Sequence, residues 1–199
     1  MTMEISASIV KELRERTGAG MMDCKKALTE ANGDMDRAIT VLREKGIAKA
    51  ASKEGRKTAE GVVASYVHAG DKLGVMVEIN CETDFVARTD QFRTFCRDVA
   101  MHIAATNPQC VSRDQMNPEL LEKEKNIFKQ QAAKEGKPQN VLDKIVEGRI
   151  EKFYAETVLL EQPFVKDNDK TVEELVKEMI ATLGENIQIK RFARFRLGE

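Results

Sequence analysis

A carboxylate beside a large apolar ring is the most suggestive pair in this sequence, and it stands at Asp84-Phe85 within Asn80-Cys81-Glu82-Thr83-Asp84-Phe85-Val86-Ala87-Arg88. Two readings of it compete. In one, Asp84 caps the helix that follows and Phe85 staples its first turn to a sheet. In the other, the pair is a presented tip, an acid next to an aromatic wedge shaped to enter a partner. Buried aromatics near caps outnumber exposed wedges, so local chemistry alone favours the first. Other constellations carry less. Glu82 with Asp84 is too slight a carboxylate pattern for hydrolysis, and the chain holds no Ser/His/Asp set and no glycine-rich phosphate loop. Cys24, Cys81, Cys96 and Cys110 are widely spaced, with only His68 and His102 to complete a metal site. Zinc requires closely spaced soft ligands, so no metal site is expected; with no nucleophile-and-base set either, neither an enzymatic activity nor a cofactor is expected. Cys24, Cys81 and Cys96 fall on apolar faces and read as small buried hydrophobes in a reducing compartment.

The elements that must position Asp84 and Phe85 are legible on both sides. Upstream, Val75, Val77, Ile79 and Cys81 alternate with Gly74, Met76, Glu78 and Asn80, the period of a half-buried strand. Downstream, Phe92, Phe95, Cys96, Val99 and Ile103 recur at helical spacing. Phe85 belongs to neither series.

Around this junction the pattern predicts an α+β protein. Three short helices occupy residues 1–46: Ile9, Val10 and Leu13 line the first, which ends at Gly18 and Gly20. Cys24, Ala27, Leu28 and Ala31 line the second, closed by Asn32-Gly33. Asp34 caps the third, with Ala38, Ile39 and Leu42 inward and Gly46 as its stop. Met21 and Met22 are adjacent at the start of the second helix, so at least one must be exposed. Residues 47–60, with Lys49, Lys53, Arg56 and Lys57 and a break at Gly55, read as a basic linker.

A core domain over 61–199 follows, with strands at Val62–Val67 and Leu73–Cys81 joined by a turn at Ala69-Gly70-Asp71-Lys72. A helix over about 90–106 stops at Asn107-Pro108, and Asn117-Pro118 starts a helical hairpin that turns at Gly136-Lys137-Pro138 and runs to about residue 155. Gly148 inside its second helix signals either close packing or a weak turn. Thr171-Val172-Glu173-Glu174 is a capping box before the stripe Leu175, Val176, Met179, Ile180 and Leu183, ended by Gly184-Glu185-Asn186. The final strand, Ile187–Leu197, interleaves Phe192 and Phe195 with Lys190, Arg191, Arg194 and Arg196. Such a strand either stacks on nucleic acid or closes an antiparallel three-stranded sheet with its charges at the edge.

Size and charge favour the sheet. The chain has 199 residues, 42% hydrophobic and 33% charged, with a formal net charge of −1, which gives no long-range pull toward nucleic acid or an anionic membrane. No apolar run approaches the ~20 residues of a membrane span, and residues 1–8 lack the build of a signal peptide, so a cytoplasmic protein is expected.

Three motifs carry a resemblance. Thr83-Asp84-Phe85-Val86 after a strand, the run Lys11-Glu12-Leu13-Arg14-Glu15-Arg16-Thr17-Gly18-Ala19-Gly20-Met21-Met22-Asp23-Cys24-Lys25-Lys26-Ala27-Leu28, and Glu161-Gln162-Pro163-Phe164-Val165 resemble, in order, hallmarks of the translation elongation factor Ts family, the nucleotide exchange factors of elongation factor Tu. The resemblance implies that the N-terminal bundle is of the ubiquitin-associated type and that the chain is the family's short form, which pairs as a homodimer. It also implies that Thr83, Asp84, Phe85 and Val86 form the wedge, that Arg14, Met21, Met22 and Lys25 anchor the bundle on elongation factor Tu, and that His68 meets another part of that partner. GDP release would then follow from disturbance of the magnesium and phosphate site, without contact to the guanine base. The rival classes are a ubiquitin-like or peptide-binding adaptor built on the first domain alone, and a ribosome- or RNA-binding protein built on the basic final strand.

Overall fold

A computed structural model describes residues 5–133 and 139–199, so the expected turn at Gly136-Lys137-Pro138 lies outside the described residues. The elements are α1 (Ala7–Thr17), α2 (Met21–Glu30), α3 (Met35–Lys53), β1 (Glu60–Val67), β2 (Leu73–Cys81), α4 (Asp84–Ala87), α5 (Asp90–Thr106), α6 (Pro118–Ala133), α7 (Gln139–Thr157), β3 (Pro163–Phe164), β4 (Asp167–Thr171), α8 (Val172–Leu183) and β5 (Gln188–Arg196). The protein is α+β, as the sequence pattern predicts. It divides into two compact units, the first made of the stretch up to Gly61 with Asn80–Phe92 and Glu174–Gln188, the second of Val62–Ile79, Arg93–Glu173 and Ile189–Glu199.

In the first unit, Val10, Leu13, Cys24, Ala27, Leu28, Ala31 and Ala38 form the core of α1 to α3. The caps follow local chemistry: Ser6 accepts from the amide of Ile9, Gly18 adopts φ 66°, and Asp34 accepts from the amide of Arg37 at 2.9 Å. At Gly46 the structure departs from expectation. Helix α3 runs through this residue to Lys53, and the stop falls at Gly55 with φ 83°. Gly46 is buried, and a Cβ built there would stand 3.4 Å from the Cβ of Ala181 on α8. Its missing side chain lets two helices approach, and much of the expected linker is helix.

The second unit holds most of the sheet, ordered β1-β2-β5. The amide of His68 donates to the Leu73 carbonyl across the hairpin, and the amide of Leu197 donates to Lys72, which sets β5 antiparallel beside β2. Val75 and Val77 are buried on one face of β2 while Met76 is exposed on the other. On β5, Phe192 is half-buried and Phe195 exposed, since residues three apart on a strand point to opposite faces. Asn117 accepts from the amide of Glu119 as α6 begins, and Cys110, Met116 and Val158 form a small core beneath the α6–α7 hairpin with Phe153 and Tyr154 against it. Gly148 has open space around it, so close packing is not the reason for a glycine there. The two-stranded β3–β4 hairpin is an addition that no sequence pattern announced.

Candidate functional site

Strand β2 delivers the chain to Cys81, and Thr83 then opens the single turn of α4. The expected cap was Asp84; the observed N-cap is Thr83, whose hydroxyl accepts from the amide of Val86 at 3.4 Å. Asp84 sits one position inside, where its charge favours the positive end of the turn and pairs with Arg88 at 2.7 Å. The turn buries Val86 and Ala87. On a helix, the position before a buried pair swings about 100° away from their face, and Phe85 accordingly stands 78% exposed. The stapling alternative is excluded, because a stapling ring would be buried.

A tie between distant segments holds this turn in place. Glu185 accepts the amide of Glu82 at 3.1 Å and the amide of Thr83 at 3.0 Å on one carboxylate oxygen, and the Thr83 hydroxyl at 2.6 Å on the other. In return Glu82 accepts the amide of Asn186 at 2.7 Å and lies 3.6 Å from the Arg56 guanidinium. The buried Asn186 side chain donates to the Arg56 carbonyl at 2.9 Å. The sequence pattern marked Gly184-Glu185-Asn186 only as a helix stop. No local signal could have found the bonds of Glu185 and Asn186, whose partners lie 102 or more residues away. Cys81 beside it is inert: burial, reinforced by the Glu185 carboxylate, pushes its thiol up to about 11.

A second group lies at the start of α2. Met21 and Met22 are 48% and 63% exposed, so both face solvent, within the expectation that at least one would. Lys25 is exposed four residues after Met21 and three after Met22, spacings that place it beside them on the helix surface. Arg14 is exposed in the last turn of α1; burial raises the thiol of nearby Cys24, opposed by the Thr17 hydroxyl and, more weakly, by the charge of Arg14. Arg14, Met21, Met22, Lys25, Thr83, Asp84, Phe85 and Val86 all belong to the first unit, whereas His68 belongs to the second, where its Nδ1 lies 3.0 Å from the Tyr66 hydroxyl. Among the described residues no group of His, Cys, Asp or Glu could hold a metal ion, and no helix is long and apolar enough to cross a membrane.

Comparison with known proteins shows the family of the chain. The family model described as elongation factor TS matches residues 3–199. The chain belongs to the elongation factor Ts family. It is 62% identical to elongation factor Ts of Acetivibrio thermocellus over 98% of this chain and 91% of that protein. It is 63% identical to elongation factor Ts of Thermoanaerobacter sp. (strain X514), over 98% of this chain and 96% of the relative. With elongation factor Ts of Caldanaerobacter subterraneus subsp. tengcongensis the identity is 62%, covering 98% of each. As a member of the elongation factor Ts family it is a translation elongation factor acting in protein biosynthesis.

Proposed function

We propose that this protein binds elongation factor Tu and promotes GDP release by wedging Phe85 into its G domain, and the observation that carries the proposal is the exposed ring on a fixed turn. Free, such a ring costs hydrophobic surface in water; docked, it recovers roughly 1.5–3 kcal/mol of burial. The Thr83 cap and the buried Val86 fix the direction of the wedge, and Asp84 supplies a charge at its base. A G domain holds its nucleotide through a phosphate cradle and a magnesium ion, so a small displacement there loses several charge-assisted contacts. The guanine base need not be touched. Exchange is a coupling in which factor and nucleotide weaken each other reciprocally, so no covalent step, cofactor or metal of the factor's own enters. Arg14, Met21, Met22 and Lys25 anchor the N-terminal bundle on the same partner, methionine being suited to adaptable apolar contact. His68 meets a further part of it.

The same proposal makes the factor a cytoplasmic homodimer joined through the outer sheet face. Val63, Val67, Met76 and Phe195 are exposed there; Phe195 shares its side of β5 with Arg191, which bonds Glu78 at 2.7 Å, and Glu78 shares its side of β2 with Met76. A self-complementary apolar face fits an isologous pair. The basic residues of β5 are partly neutralised within the chain, Arg191 by Glu78 and Arg194 and Arg196 by Glu199, which argues against nucleic acid as the partner of this strand. Release of labelled GDP from purified elongation factor Tu, with and without this protein, tests the exchange; no acceleration would sink it. Met76→Lys should sediment as a monomer with its helix content retained and its exchange activity lost. An unsubstituted protein sedimenting as a monomer at micromolar concentration would refute the pairing.

A further inference from the structure

We infer that Glu185 is a positioning residue for exchange, holding Thr83 so that Phe85 is aimed before the partner arrives. The inference rests on the wedge reading above and deepens it. A helix of four residues does not persist on its own, because one turn cannot recover the entropy of fixing its backbone. Something outside α4 must supply what is missing. Glu185 does so by gathering the two amides that enter the turn, those of Glu82 and Thr83, onto one oxygen, in the manner of a backbone anion nest.

The third bond does more than hold. Thr83 donates its hydroxyl proton to Glu185 at 2.6 Å and, through the same oxygen, accepts from the amide of Val86. Donation to a carboxylate polarises the hydroxyl and strengthens it as an acceptor, so the cap of α4 is tightened by a charge outside the helix. The reciprocal bond from the Asn186 amide to Glu82, and the Arg56 contacts to both Glu82 and Asn186, fix Glu185 in turn. Two other chain segments, at Arg56 and at Glu185-Asn186, thus converge on the two residues before Asp84. Phe85 makes none of these bonds, which leaves its ring available to a partner. Ordering done in the free protein is ordering that binding need not supply.

The test uses the full chain and elongation factor Tu loaded with labelled GDP, with Phe85→Ala, Glu185→Ala and Glu185→Gln compared. Losing charge-assisted bonds of this kind should lower the maximal release rate of Glu185→Ala by about tenfold. The half-saturating concentration, set by the bundle contacts, should stay within about twofold. A merely structural role would do the opposite, reducing the amount of competent protein and shifting half-saturation while leaving the maximum intact. Glu185→Gln keeps the volume and one accepting oxygen, should retain about a third or more of the maximal rate, and carries the test should the alanine variant not fold. Amide hydrogen exchange of the free proteins should show Thr83 and Val86 losing protection in Glu185→Ala while the core of α1 to α3 keeps it. If Phe85→Ala leaves release unchanged, the wedge reading falls whatever Glu185 does. If Phe85→Ala is defective while folded Glu185 variants, with Thr83 deprotected, release GDP at the full maximal rate, the wedge stands and the positioning role is overturned.

Discussion

Two phenylalanines show how this chain uses short elements in opposite ways. Phe85 lies on the four-residue helix α4 and is 78% exposed; Phe164 lies on the two-residue strand β3 and is 5% exposed. Each element is too short to stand by itself and is held by side chains bonded to backbone. Around α4 the holder is a carboxylate, Glu185, at a partly solvated site. Around β3 the holders are neutral and buried. His102 Nδ1 accepts from the amide of Val165 at 3.2 Å, which leaves the proton on Nε2 to donate to Gln162 at 3.0 Å, and Gln162 donates to the Glu156 carbonyl at 2.7 Å. Phe164 packs on the His102 ring, with centroids 5.8 Å apart. A buried holder must be neutral because an unpaired charge there costs far more than its bonds return, whereas an exposed one can use a full charge. One arrangement conceals its ring and stabilises the fold; the other presents its ring.

The largest difference should appear on truncation. Phe164→Ala should cost about 3–5 kcal/mol of folding stability, the usual loss for a buried ring, and Phe85→Ala no more than about 0.5 kcal/mol. Urea denaturation of both variants measures this, and comparable losses would dissolve the contrast. The holders should differ less. Gln162→Leu strands the Nε2 proton of His102 and the Glu156 carbonyl, at about 1–3 kcal/mol for each group left unpaired, while Glu185→Gln should cost under about 1 kcal/mol because water can replace what it loses. A Glu185→Gln variant as unstable as Gln162→Leu would show that the exposed tie is part of the core after all.

The smallest effect concerns pH. Burial, opposed by the Gln162 bond, lowers the pKa of His102 below its ordinary 6.5. A depressed folded value means that the unfolded chain binds the proton first. The contribution of His102 is therefore complete above about pH 6.5 and declines as pH falls from there toward the folded value, by up to about 1.4 kcal/mol per pH unit. Denaturation midpoints between pH 7 and 5 should fall in the unsubstituted protein and fall less in His102→Gln; parallel curves would remove the imidazole from the explanation.

The contrast also separates what the sequence disclosed from what it withheld. Helices α1 and α2, the β1–β2 hairpin and α8 were readable because caps, glycines and apolar stripes are local signals. Gly46 misled: as a local signal it ends a helix, whereas α3 continues through it and the residue packs against Ala181, a distant contact that no local signal shows. Thr83 and Asp84 are both good caps, and Thr83, the observed one, is the one bonded to Glu185, 102 residues away. The β3–β4 hairpin has too few residues for periodicity to register. Local chemistry favoured burying Phe85, and motif resemblance pointed the other way; the exposed ring agrees with the resemblance.

The most direct test of the presented wedge is to measure, on one preparation of Phe85→Ala, both its urea midpoint and the rate at which it releases labelled GDP from elongation factor Tu. The expected result is a midpoint indistinguishable from that of the unsubstituted protein together with release slowed by about tenfold or more, the equivalent of losing at least ~1.4 kcal/mol of burial formed only in the complex. A lowered midpoint with release per folded molecule intact would contradict it, and would make Phe85 a structural residue.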